Sequence, residues 1–117
     1  MNSLDVIVPI YNGAEFIEDF LHGYINALEK IINPINLIIV DNRSSDNTRE
    51  VFENFAVGSI SYSYYVYSEK IGSYAARNYG LQKAQSTWIL FTDIDCIFHP
   101  EFFSTLFKME LRENEFY

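Results

Sequence analysis

Two kinds of apolar spacing alternate along this chain, and that alternation limits the available folds more than any other feature. Residues 4–10 and 35–40 are short apolar runs rich in branched residues, the first ended by Pro9 and the turn-prone Asn12-Gly13. Both read as buried strands. Between them, Phe16, Ile17, Phe20, Leu21, Tyr24, Ile25, Leu28, Ile31 and Ile32 recur at three- and four-residue steps. This spacing predicts an amphipathic helix whose stripe is core. Asn12 and Glu15 have capping-box spacing at its start, and Asn33-Pro34 ends it.

The pattern continues downstream. Asp46 is a candidate N-cap for a second helix carrying Val51, Phe52 and Phe55 inward. Residues 60–67 alternate Ser with aromatic or aliphatic side chains, as a strand with one wet face would. Gly72 opens a helix running to about Ala84, residues 87–91 form a fourth strand, and Pro100 starts a last helix. Strands alternating with helices across short polar joints imply an α/β fold, three layers in α/β/α order around a mostly parallel sheet. With 117 residues and no linker or repeat, the chain reads as a single domain over 1–117.

In such sheets ligands bind outside the carboxyl ends of the strands. Three polar segments fall at that edge: Tyr11-Asn12, the stretch from Asp41 to Asp46, and Asp93-Ile94-Asp95. In the last, Trp88-Ile89-Leu90-Phe91 runs straight into two carboxylates one residue apart. An Asp-x-Asp pair there suits a hard divalent cation and the phosphates it carries. The net charge of −8 excludes a nucleic-acid partner, which needs a basic footprint. An anionic substrate would need a metal or backbone dipoles to offset repulsion.

A single cysteine, Cys96, allows no internal disulfide and no cysteine-based zinc cluster. Cys96, His22 and His99 are read as structural. The N-terminal residues lack a basic segment ahead of the apolar run, and no apolar run reaches membrane-spanning length. The expectation is a protein of a reducing, cytoplasmic compartment, with peripheral attachment at the inner face of a membrane left open.

Val8-Pro9-Ile10-Tyr11-Asn12, Ile39-Val40-Asp41-Asn42-Arg43-Ser44-Ser45-Asp46, Gly72-Ser73-Tyr74-Ala75-Ala76-Arg77-Asn78-Tyr79-Gly80 and Phe91-Thr92-Asp93-Ile94-Asp95 follow one another in an order that resembles family-2 glycosyltransferases. These are nucleotide-sugar-dependent enzymes with the A-type glycosyltransferase fold. The resemblance implies that Pro9, Tyr11, Asn12 and Glu15 line a nucleotide pocket, with Tyr11 against the base. It implies that Asp41 binds uracil or ribose and that Arg77 lies near the carboxylates and pyrophosphate. Asp93 would contact the ribose or the metal, and Asp95 would be the principal ligand of Mn2+ or Mg2+. The donor would be a nucleotide-sugar of the UDP type, and the acceptor a carbohydrate or lipid-linked hydroxyl.

Two departures qualify the resemblance. Asp41 is followed by Asn42 and Arg43 where the family often carries Asp-Gly. The acceptor-binding half and the catalytic base are expected beyond residue 117, so the chain reads as a truncated, donor-binding half. A different reading is a non-catalytic nucleotide-binding or self-associating module, a homo-oligomer joined through an exposed sheet edge. A nucleotidyltransferase fits less well, because no Gly-rich phosphate loop with a downstream Lys follows the first strand.

Alternatives also remain at single residues. Asp46 reads best as a turn and cap residue. Arg77 is a functional cation or a surface ion pair, and Tyr11 a base contact or a packed aromatic. Tyr62, Tyr64, Tyr65 and Tyr67 are one packed strand or a face that something else covers.

Overall fold

In a computed structural model, which describes residues 2–116 and the side chains of residues 2–109, the chain forms four strands and four helices in strict alternation. The strands are β1 (Leu4–Ile10), β2 (Ile35–Asp41), β3 (Tyr62–Val66) and β4 (Trp88–Phe91). The helices are α1 (Ala14–Leu28), α2 (Thr48–Ala56), α3 (Ser73–Lys83) and α4 (Phe102–Phe116). All pairings are parallel, in the order β3-β2-β1-β4.

That order explains where the helices lie. The chain steps from β1 to β2 to β3 in one direction, then returns past β1 to place β4 on its other side. Right-handed crossovers in one direction put their helices on one face, and the reversal moves the next helix to the opposite face. Accordingly α1 and α2, joined by Phe103 of α4, pack against Leu4, Val6, Val8 and Ile10 of β1. On the other face Ala76 of α3 meets Ile7, Ile38 and Val40. Gly80 allows this close approach, because a Cβ there would sit 2.6 Å from Ile7 Cγ2 and 3.1 Å from Val40 Cγ2.

All seven residues of β1 are buried, as a central strand covered on both faces requires. Pro9 is tolerated there for a specific reason. Thr92 N–H donates to the Ile7 carbonyl, while Asn42 N–H donates to Ile10, so odd positions of β1 face β4 and even ones face β2. The N–H that Pro9 lacks would point toward β4, whose pairing stops at Ile7–Phe91. Above that point β1 and β4 part, at the place where strand order reverses.

Four local expectations change. Helix α1 ends at Leu28 rather than running through Ile32. Ile32 is 80% exposed, so its place in the periodic pattern finds no core to join, and Asn33-Pro34 disfavours helix just beyond. Phe16 is 40% exposed and belongs to the binding cleft, not to the core stripe. Both faces of β3 are partly covered rather than one being wet: Tyr62 and Tyr64 pack on Phe52 of α2, and Tyr65 and Tyr67 on Tyr79 of α3. The tyrosines are therefore one packed strand. The last helix begins at Phe102, two residues after Pro100.

An aromatic cluster ties the segment after β4 to α1. Phe98 lies against Phe20, Tyr24 and Phe103 with ring centroids 5.2–5.7 Å apart. Each buried ring contributes about 1.5–3 kcal/mol, which anchors the segment that begins with Asp93. Among the described residues, no helix is long and apolar enough to cross a membrane.

Candidate functional site: a cleft at the carboxyl ends of the strands

A cleft of about 750 Å³ opens where β1 and β4 diverge. Its floor is Pro9, Ile10 and Ala76; one wall carries Asn42 and Arg43, the other Asp93, Ile94 and Asp95. Tyr11, Phe16 and Ile71 form apolar lips, and Gly72 and Ser73 bring the start of α3 to the rim. This is the crevice in which open α/β sheets take ligands, and the first turn of α3 offers unpaired backbone N–H groups to an anion.

The loops forming the cleft are stitched together by side chains. Asn12, at φ 49°, does not cap α1. Its Oδ1 instead accepts from the backbone N–H groups of Ser45 at 2.7 Å and Asp46 at 3.2 Å, and its own N–H donates to Ser44 Oγ at 2.9 Å. The start of α1 is served from across the gap: Gly13 N–H donates to Thr48 Oγ1 at 3.1 Å, and Ala14 N–H to Asp46 Oδ2 at 3.4 Å. The residue in the N-cap position of α2 is Asn47, and Asp46 works from one residue earlier, accepting from the Thr48 N–H and hydroxyl. Partial burial raises the Asp46 carboxyl, but these hydrogen bonds outweigh it and hold the group below the usual aspartate range.

Asn42 performs the same task toward β3. Its Nδ2 donates to the carbonyls of Tyr67 at 2.9 Å and Lys70 at 2.8 Å, and its Oδ1 accepts from Gly72 N–H at 2.7 Å. All the hydrogen-bonding capacity used there is local, so Asn42 shapes the wall without offering a free polar group. Gly72 sits at φ 117°, a conformation that side chains resist.

The residues picked out in the sequence are distributed as follows. Pro9, Tyr11, Asp93 and Asp95 line the cleft. Asn12 stands just behind it as a loop tie. Asp41 is 4% exposed and lies behind the wall: Oδ1 accepts from Ser44 N–H at 2.8 Å and Oδ2 from the Tyr64 hydroxyl at 2.6 Å. Burial, followed by that bond to the carboxylate, pushes the Tyr64 hydroxyl well above the usual tyrosine value. Glu15 is exposed on the first turn of α1, outside the cleft lining. Arg77 is also outside the lining, but its Nη2 donates to Asp93 Oδ1 at 2.8 Å and so holds one cleft carboxylate. The base expected beyond residue 117 lies outside the described residues.

Several lining residues are not singled out as ligand contacts by the sequence, among them Phe16, Arg43, Ile71 and Ser73. Phe16 was hidden by a helical period that it shares with core positions, and Arg43 by a polar segment in which every residue fits a turn.

Asp95 is exposed and makes no hydrogen bond or ion pair among the described residues. Two oxygen ligands fit a hard cation that takes the rest of its shell from phosphate and water, and suit Mg2+ or Mn2+ rather than a softer metal. Among the described residues no group of three or more His, Cys, Asp or Glu side chains converges to hold an ion, so the two aspartates alone do not complete a shell. His99 stays a loop residue, its Nδ1 accepting from Glu101 N–H at 3.0 Å.

The model of the family described as "Glycosyl transferase family 2" matches residues 5–115. Glycosyltransferase AglE of Haloferax volcanii is 34% identical over 101 residues, covering 84% of this chain and 32% of that protein. Among solved structures, S. aureus TarS superposes with a TM-score of 0.77 at 24% identity, over 97% of this chain and 32% of that one. A mannosyltransferase of Pyrobaculum calidifontis, solved in complex with GDP-Man and Mn2+, gives 0.70 at 26% identity over 80% of this chain and 28% of its own. The architecture is therefore that of the A-type glycosyltransferase fold, and the chain spans about a third or less of the length of the curated relatives it matches.

Proposed function

Because the chain belongs to glycosyl transferase family 2, we propose that its cleft binds the nucleoside-diphosphate part of a sugar donor together with Mn2+ or Mg2+. The chain is then the donor-binding part of an enzyme that transfers a sugar to an acceptor hydroxyl. The donor proposed is a UDP-sugar, and the acceptor a carbohydrate or a lipid-linked glycan.

One observation carries this reading. Asp95 is a carboxylate without a partner among the described residues, in the same cleft as the start of α3. Left empty of cations, that wall repels a diphosphate in a chain of net charge −8. With a divalent ion on Asp95 and Asp93, the same wall attracts it. Held by Asp95 and Asp93, such an ion would supply charge neutralisation for the diphosphate leaving group.

The protein's own groups do the rest. Arg77 restrains Asp93 and adds positive charge beside it. The N–H groups at the start of α3 face the anion, and Tyr11 offers an aromatic face to the base. Asp41 and Asn42 act indirectly, by holding the loops that shape the wall.

Calorimetry of UDP binding with Mn2+ and with chelator tests the proposal. Binding that requires the metal is the expected result. Absence of heat with UDP, GDP and their sugar conjugates alike, in metal, contradicts it.

A second reading, self-association without transfer, is favoured by Phe91 on the edge strand β4, whose outer side has no neighbouring strand among the described residues, and by Leu81 and Tyr74 on α3, which are 44–78% exposed. Light scattering that finds a monomer at high concentration counts against it.

A further inference from the structure

We infer that Arg43 reads the nucleotide base and selects uracil and guanine, which carry a carbonyl oxygen at C4 and C6, over cytosine and adenine, which carry an amino group at those positions. This rests on the cleft being a nucleoside-diphosphate site.

The first observation is conformational. Arg43 has φ 63°, and with Asn12 it is one of two non-glycine residues in the left-handed region among those described. Glycine or asparagine occupies such a position with less strain. A long cation persists there when the surrounding structure holds it, and such positions cluster at ligand sites. Here Asn42, the preceding residue, is fixed by three hydrogen bonds.

The second observation is place. Strands β2 and β4 flank β1, so the loops that follow them are separated by two strand spacings, about 10 Å. Asp93 and Asp95 stand at the β4 end and Arg43 at the β2 end of one cleft. A ligand held by its diphosphate at the carboxylate end reaches the β2 end with its base. Two apolar lips, Tyr11 and Ile71, stand at that end: Tyr11 precedes Asn12, which is tied to Ser45, and Ile71 lies between Lys70 and Gly72, both bonded to Asn42. A planar ring entering between them has Arg43 at its edge.

The third observation is chemical, and it sets the direction of selectivity. Several side-chain acceptors around this loop are already used within the protein. Asp41 receives Ser44 and Tyr64, Asn42 receives Gly72, Asn12 receives Ser45 and Asp46, Ser44 receives Asn12, and Asp46 receives Ala14 and Thr48. Arg43 makes no side-chain hydrogen bond or ion pair among the described residues. Guanidinium has donors and no acceptor. Guanine offers it O6 and N7 together and uracil a carbonyl oxygen, whereas cytosine and adenine present an amino donor at the corresponding edge. At the base end of the cleft Arg43 therefore offers free donors, while the neighbouring Asp41, Asn42, Asn12, Ser44 and Asp46 side chains are engaged within the protein.

The test measures binding of UDP, GDP, CDP and ADP, each with Mn2+, to the wild-type chain and to Arg43→Gly. Glycine suits φ 63°, so this variant should melt no lower than wild type. The wild type should bind UDP or GDP roughly tenfold more tightly than CDP and ADP. In Arg43→Gly all four should still bind, with that ratio reduced to near one. An unchanged ratio overturns the inference, and so does an equal loss across the four nucleotides, which would put Arg43 on the phosphates. If the wild type binds none of the four, the nucleotide reading of the cleft itself fails and this inference falls with it.

Discussion

Arg77 and Asp93 meet at 2.8 Å, joining the middle of α3 to the loop that leaves β4. Their side chains remain 34% and 58% exposed, so the pair contributes little to stability, in the range of 0–1 kcal/mol for surface ion pairs. Its consequence is positional. Asp93 is held at the rim with one oxygen occupied, while Asp95 lines the cleft without a partner among the described residues.

Replacing Arg77 should therefore separate stability from binding. Arg77→Ala is expected to shift the unfolding free energy by less than about 1 kcal/mol while weakening metal-dependent nucleotide binding roughly tenfold. Arg77→Lys should recover only part, because a point charge does not reproduce the planar fork. Urea unfolding and calorimetry on the same samples check both. A large stability loss with intact affinity would reduce Arg77 to a structural residue.

Asn42 should behave in the opposite way. Its side chain bonds Tyr67, Lys70 and Gly72, and Asn42→Ala leaves those backbone groups without their partner. A loss of about 2–3 kcal/mol is expected in urea unfolding. An unchanged midpoint would mean that the loop before α3 is held by something else.

Close packing of α3 gives a third test. Gly80→Ala gains helix propensity of about 1 kcal/mol, but its methyl would lie 2.6 Å from Ile7 Cγ2. Overpacking costs about 1–3 kcal/mol, so net destabilisation is expected. A more stable Gly80→Ala protein would show that α3 can move off the sheet without penalty.

The pH dependence follows from Asp46. Its carboxyl titrates below the ordinary value of 3.8 in the folded chain. The folded state therefore binds fewer protons than the unfolded one in that range, so the contribution is present above pH 3.8 and is lost as pH falls below it. The difference in melting temperature between wild type and Asp46→Asn should be greatest near neutral pH and shrink in acid. A difference that stays constant through that range would remove the ionised carboxylate from the account of how the two loops are joined.

The strands, their order of appearance and the carboxyl-end location of the polar loops could all be read from apolar spacing, because a buried parallel strand leaves a near-continuous branched run. What could not be read was long-range hydrogen bonding. Asn12 and Glu15 match a local cap, yet Asn12 turns to Ser45 and Asp46, 33 and 34 residues away. Asp41 is a plausible ligand by composition, and only the folded chain shows Ser44 and Tyr64 taking both of its oxygens. Ile32 extends the helical period beyond Leu28, but a repeat cannot tell whether a core exists to receive it. Arg43 is invisible for the same kind of reason, since neither its positive φ nor the internal bonds of the side chains around it can be read from spacing.

The most direct measurement is of the metal itself. Mn2+ is titrated into UDP-saturated protein and free ion is followed by electron paramagnetic resonance, for the wild type and for Asp95→Asn. Asp95→Asn keeps the size of the side chain and removes its charge at an exposed position, so the fold should be preserved. The expected result is a wild-type site that appears only with nucleotide and weakens by at least roughly tenfold in the variant. Equal Mn2+ binding by the two proteins, or none by the wild type with UDP or GDP present, would contradict a metal–diphosphate site at Asp95.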